Sequence, residues 1–109
     1  VDVIAYSDPL GTRPPRIKAQ VKRNTSQAVD EPTLKSFLYN LSADDVGIYV
    51  AVGGFTKAAE EAARKEQRRT VLIDLEKLME LWTEFYPKLD DQARKRLPLT
   101  PIYFLTPDV

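Results

Sequence analysis

The chain has 109 residues, 43% of them hydrophobic and 29% charged, with sixteen basic groups balanced by sixteen acidic ones. That is the length and composition of one small soluble-type domain with a modest core. It has no cysteine and no histidine, which excludes disulfides, thiolate and imidazole metal sites, a cysteine nucleophile and a histidine base. Any metal must therefore be held by oxygen, which suits a hard cation.

Charge is unevenly spread. Residues 1–25 carry five basic groups against two acids, leaving eleven against fourteen for the rest. A basic N-terminal segment on a neutral chain suggests a localised anionic partner, although chance clustering gives the same picture. No apolar run approaches a membrane span, so no membrane partner is expected, and a reducing cytoplasm is the expected compartment.

Val3-Ile4-Ala5-Tyr6 reads as a short strand with no cap or turn before it, so the chain is expected to be an N-terminally truncated piece of a larger protein. Asp8-Pro9-Leu10-Gly11 is a turn signal, and Pro14-Pro15 continues in extended form. Arg16 to Lys22 alternates strictly. Ile17, Ala19 and Val21 fall on one face, and Lys18, Gln20 and Lys22 on the other. The two strands are predicted to pair as an antiparallel hairpin with a long connection.

Asp30 caps a predicted helix with Pro32 in its first turn and Leu34, Phe37, Leu38 and Leu41 along one side. Val46 to Val52 is a continuous apolar run, predicted as a strand buried on both faces. A helix between it and the previous strand makes a crossover, so the two strands should run parallel. Gly53-Gly54-Phe55 is a turn, and Thr56 caps a helix from Lys57 to about Gln67 with Ala58, Ala59, Ala62 and Ala63 on its inner side.

Val71-Leu72-Ile73 is a further strand. Asp74 then caps a helix with Leu75, Leu78, Met79, Trp82, Phe85 and Tyr86 as its apolar stripe, ended by Pro87. A short helix from Asp90 to Arg96, an extended linker and an edge strand at Ile102–Leu105 complete the prediction. The order defines an α/β domain with a mixed sheet flanked by helices, divided into a core (1–86) and a C-terminal extension (87–109).

The residues that could carry chemistry lie on the first two strands. Asp2 offers a carboxylate at a strand start, Gln20 a neutral side-chain oxygen, and Val21 a backbone carbonyl. Lys22 leaves the same strand face as Gln20, two residues on. A carboxylate, a second oxygen and an ammonium around one hard cation are what metal-assisted phosphodiester hydrolysis requires. On pattern alone a solvated strand face explains Lys18, Gln20 and Lys22 equally well. Gly53-Gly54 before a helix is open to two readings, a phosphate cradle or a tight turn. Trp82 and Tyr86 read as core or interface residues. Arg64, Lys65, Arg68 and Arg69 read as a basic helix end that complements the helix dipole.

Four segments carry a resemblance. Ala19-Gln20-Val21-Lys22-Arg23 resembles the Gln-x-Lys-Arg strand of Mrr-type restriction endonucleases, a branch of the PD-(D/E)xK nucleases. Val1-Asp2-Val3-Ile4-Ala5 resembles that family's catalytic strand start, Gly53-Gly54-Phe55-Thr56-Lys57-Ala58-Ala59 its Gly-Phe-Thr-Lys turn, and Leu72-Ile73-Asp74-Leu75-Glu76-Lys77-Leu78 its Leu-Ile-Asp-Gly-Glu-Lys-Leu segment.

The resemblance implies a restriction-endonuclease-like fold and Mg2+- (or Mn2+-) dependent cleavage of foreign or methylated DNA. Asp2, Gln20 and Lys22 would be catalytic, with Asp2, Gln20 and Val21 around the metal. Lys18, Arg23, Thr56 and Lys57 are the expected DNA contacts. It further implies a separate DNA-recognition domain outside this chain, and a homodimer is a further expectation for cutting both strands. The family's preceding glycines and helix are absent from the sequence. A nuclease fold kept only for DNA binding or dimerisation is the alternative.

Overall fold

The computed structural model describes residues 2–6, 10, 16–66, 69–100, 102, 103 and 105, with Asp2, Val3, Ala5 and Tyr6 described for their backbone alone. The expected turn and proline pair at 7–9 and 11–15, Arg68, and Pro101, Phe104 and Pro107 lie outside the described residues. Two compact units divide the chain, residues 1–78 and 79–109.

In the first unit four strands form one mixed sheet in the order β1-β2-β3-β4. Strand β1 (Asp2–Tyr6) pairs antiparallel with β2 (Arg16–Lys22), as the alternation predicts. Strand β2 pairs parallel with β3 (Val46–Ala51), and β3 parallel with β4 (Arg69–Ile73). Helix α1 (Glu31–Tyr39) joins β2 to β3, and α2 (Lys57–Lys65) joins β3 to β4. Each begins at a side-chain cap: the Asp30 carboxylate accepts from the Thr33 amide at 3.0 Å, and the Thr56 hydroxyl from the Ala59 amide at 3.1 Å.

The two helices pack on the same face of the sheet. Leu34 and Leu38 of α1, Ala59 of α2, and Tyr49 and Ala51 of β3 form one buried cluster with Val29 and Leu41. Strand β3 therefore differs from the prediction. Gly47, Tyr49 and Ala51 are buried under the helices, whereas Val46, Ile48 and Val50 are half-buried. An apolar run is compatible with burial on both faces, but here one face receives both crossovers and the other is less covered. In α2, Ala59 is buried and Ala62 and Ala63 are half-buried, but Ala58 is exposed, because the helix touches the sheet along a narrower stripe than four alanines suggest. Strand β4 starts at Arg69, two residues earlier than predicted, because it pairs with β3 from Val46 onward.

Asp45, just before β3, is the buried charged side chain among the described residues. Its carboxylate accepts from the Ser42 amide at 2.9 Å, from Arg16 Nε at 3.0 Å, and faces Lys18 Nζ at 3.4 Å. Burial raises its carboxyl group, but the Ser42 amide, the Arg16 guanidinium and the Lys18 ammonium outweigh this and hold it below its ordinary value of 3.8. A lowered carboxyl contributes stability that is present above the unfolded value and lost as pH falls through the folded one. We expect Asp45→Asn to cost about 2 kcal/mol at neutral pH, less than a fully buried pair because Arg16 and Lys18 reach solvent. Thermal melts should show the gap from the parent closing below pH 3.8, and a gap unchanged at low pH would contradict this account.

Helix α3 (Leu75–Phe85) starts at Asp74, whose carboxylate accepts from the Lys77 amide at 2.8 Å. In the second unit, a 3-10 turn (Tyr86–Lys88) follows it and contains Pro87, and Asp90 caps α4 (Asp91–Arg96). Trp82 Nε1 donates to the Leu97 carbonyl at 2.8 Å, and the Tyr86 hydroxyl accepts from the Leu99 amide at 3.1 Å. The two aromatics thus anchor the extended segment after α4. No strand forms at Ile102–Leu105 among its described residues: Ile102, Tyr103 and Leu105 are exposed. An apolar tetrapeptide satisfies strand propensity, but it needs a partner strand to become one. No described helix is long and apolar enough to cross a membrane.

Candidate active site

The hairpin register decides what the first two strands bring together. Asp2 stands directly opposite Gln20, Ile4 opposite Lys18, and on the other side of β2 Gln20 is level with Tyr49 and Lys22 with Ala51. Positions directly opposite in an antiparallel pair share a face. Asp2 is thus at a register position on the Gln20 face, with its carboxylate outside the described atoms. Val21, between Gln20 and Lys22, is half-buried and paired with Val50.

That face of β2 opens into a cleft of about 640 Å³ between the hairpin and α1. Lys18, Gln20 and Lys22 line one side, Thr33 and Ser36 of α1 with its C-cap Asn40 the other, and Phe37, Leu41 and Tyr49 lie among its remaining lining residues. The Tyr49 ring is fully buried and meets Phe37 edge-on at 5.1 Å and Phe55 at 5.8 Å. This aromatic stack fixes the strand beside Gln20.

The polar groups divide into committed and uncommitted ones. Lys18 donates to the Asn40 carbonyl at 3.0 Å and pairs with Asp45. It therefore holds the end of α1 against β2. Gln20 and Lys22 make no hydrogen bond or ion pair through their side chains among the described residues. Gln20 is half-buried and Lys22 exposed. A half-buried amide with no side-chain partner among the described residues is suited to an external one.

Arg23, Thr56 and Lys57 lie toward the end of the sheet where β2 and β3 finish. The Val52 amide donates to the Lys22 carbonyl at 3.0 Å, and the Thr56 amide to the Val29 carbonyl at 3.0 Å, which ties the start of α2 to the segment after β2. Arg23 and Lys57 are exposed, and Thr56 caps α2. The C-terminal ends of parallel strands are where open α/β sheets bind ligands. The Gly53-Gly54 turn proves to be tightly packed. A Cβ at Gly53 would lie 2.6 Å from the Asn24 carbonyl oxygen and closer still to that of Gln27, whereas Gly54 takes a φ of +79°. Carbonyl oxygens around Gly53 favour the tight-turn reading over a phosphate cradle there.

The described residues hold no group of three or more acidic or other strong ligands, and the described lining of the cleft contains no carboxylate. The Gln20 oxygen and the register partner Asp2 would fit a hard cation with a single protein charge. Sequence reasoning missed Asp45, Ser36 and Asn40. Asp45 has no local signal beyond Ser42 three residues before it, whereas Ser36 and Asn40 are visible as an i, i+4 polar pair flanking Phe37.

A mixed four-stranded sheet with this hairpin register and two helices on one face is a restriction-endonuclease-like α/β domain. Residues 1–82 match the family model for the catalytic domain of Mrr-type restriction endonucleases (Mrr_cat, "Restriction endonuclease"), and the chain belongs to that family. Neither a curated protein nor a solved structure gave a significant match.

Proposed function

We propose that this chain is the catalytic part of a Mg2+- or Mn2+-dependent DNA endonuclease that restricts foreign or methylated DNA. The observation that carries the reading is the pairing of Asp2 with Gln20, with the Gln20 amide and Lys22 ammonium, which have no side-chain partner among the described residues, in one cleft, in a chain of the restriction endonuclease family. When bound, the cation supplies charge neutralisation at the scissile phosphate. Asp2, Gln20 and the Val21 carbonyl hold it. Lys22 offsets the negative charge that builds on the phosphate oxygens during cleavage. Arg23, Thr56 and Lys57 take neighbouring backbone phosphates, and Lys18 adds the remaining N–H of its ammonium. Target choice belongs to a recognition domain outside this chain, and cutting both strands calls for a homodimer.

The full protein should nick supercoiled plasmid in Mg2+ or Mn2+ and not in EDTA. Salt-sensitive DNA binding without nicking in either metal would replace this reading with a non-catalytic DNA-binding module. A second expected result concerns Gln20→Glu. Adding one negative charge to the donor set should tighten Mn2+ binding in the absence of DNA by at least about tenfold, as read by calorimetric titration. Unchanged affinity would remove Gln20 from the ligand set.

A further inference from the structure

We propose that Ser36 and Asn40, on the helix wall of the cleft, grip the sugar-phosphate backbone of the DNA strand and so position its phosphodiester over Gln20 and Lys22. The proposal takes its substrate class from the nuclease reading of the same cleft but does not require that cleavage occurs.

Residues 36 and 40 are four apart, so they sit one turn above the other on the same side of the helix. Both line the cleft, and both are exposed. Among the described residues neither side chain makes a hydrogen bond. Thr33, one turn earlier, differs: it belongs to the helix cap, where its amide donates to the Asp30 carboxylate at 3.0 Å. A hydroxyl and a carboxamide are the neutral groups that commonly contact phosphate and sugar in protein–DNA interfaces.

The cations of the strand wall suit an anion. Lys22 faces the helix, and Lys18 adds a second ammonium partly offset by Asp45. One feature of α1 opposes this, since its C-terminal end at Asn40 carries the negative end of the helix dipole. Lys18 cancels that locally by donating to the Asn40 carbonyl at 3.0 Å. The same bond fixes the Asn40 main chain relative to β2, so the side chain is presented from an anchored position.

The test is binding of a fluorescent DNA duplex to the full protein in Ca2+, over a range of salt concentrations. The double variant Ser36→Ala, Asn40→Ala should bind about tenfold more weakly, with the slope of log affinity against log salt unchanged, because neither lost group carries charge. Lys57→Ala, by contrast, should reduce that slope by about one. Ser36→Thr in the Asn40-containing protein should bind as the parent does. The proposal is overturned if the double variant binds like the parent, if its loss comes with a shallower slope or a lowered melting temperature, or if the parent binds no duplex. A parent that binds duplex but never nicks DNA in Mg2+ would defeat the nuclease reading while leaving this one standing. A parent that nicks while the double variant binds normally would do the reverse.

Discussion

Lys22→Ala should fold as the parent does and still bind DNA, yet cleave it about 10²- to 10³-fold more slowly, the loss typical of removing one group that stabilises transition-state charge. Lys22 is exposed and makes no ion pair among the described residues, so its removal strands no partner among them. Surface substitutions of that kind change stability by no more than about 0.5 kcal/mol. Arg at the same position keeps the charge but spreads it over a planar fork, so Lys22→Arg should recover only part of the rate. Single-turnover cleavage of a labelled duplex, with a melting curve for each variant, separates these effects. A Lys22→Ala protein that cleaves at the parental rate would sink the proposed mechanism.

The largest stability effect is expected at Gly53. A methyl group there would overlap the backbone carbonyls of Asn24 and Gln27, which belong to the segment between β2 and α1. Backbone cannot rotate aside as a side chain can, so Gly53→Ala should cost about 3 kcal/mol, the upper end of overpacking. Gly54 provides an internal comparison. It has open space around its Cα but a φ of +79°, so Gly54→Ala should cost about 1 kcal/mol through strain alone.

The consequence of Gly53→Ala reaches the site. The displaced segment follows Lys22 directly, and the Val52 amide next to the turn donates to the Lys22 carbonyl. Cleavage should therefore fall along with stability, whereas Gly54→Ala should affect stability more than rate. Urea denaturation of both variants gives the order, and a Gly53→Ala protein as stable as Gly54→Ala would contradict the packing described here.

Elements with a local signature were readable from the chain itself. Asp30, Thr56, Asp74 and Asp90 each precede a helix and each accepts the backbone hydrogen bond a cap requires. The alternation of Arg16–Lys22 likewise put Gln20 and Lys22 on one face, and both line the cleft. What alternation leaves open is register, because a slip of two residues keeps every side chain on its face while changing every partner. The pairing of Asp2 with Gln20 therefore needed the structure.

Long-range features were less legible. Arg16 and Asp45 are 29 residues apart, and neither position signals the other. The commitment of Lys18 to Asn40 and Asp45 was hidden for the same reason: it looked like a surface lysine on a basic strand. Ser36 and Asn40 become interesting only once α1 is seen to stand across a cleft from β2. At Ile102–Leu105 composition misled in the opposite direction, promising a strand where the described residues have no sheet partner.

The central claim is that β1 and β2 gather Asp2, Gln20 and Lys22 around one hard cation beside a DNA phosphate. Anomalous diffraction from a crystal of the protein with duplex DNA and Mn2+ reads that directly. The account predicts a manganese peak in contact with the Gln20 side-chain oxygen and the Asp2 carboxylate, with the Lys22 ammonium on the adjoining phosphate. Manganese seated elsewhere while Asp2 lies across the sheet from Gln20 would contradict it.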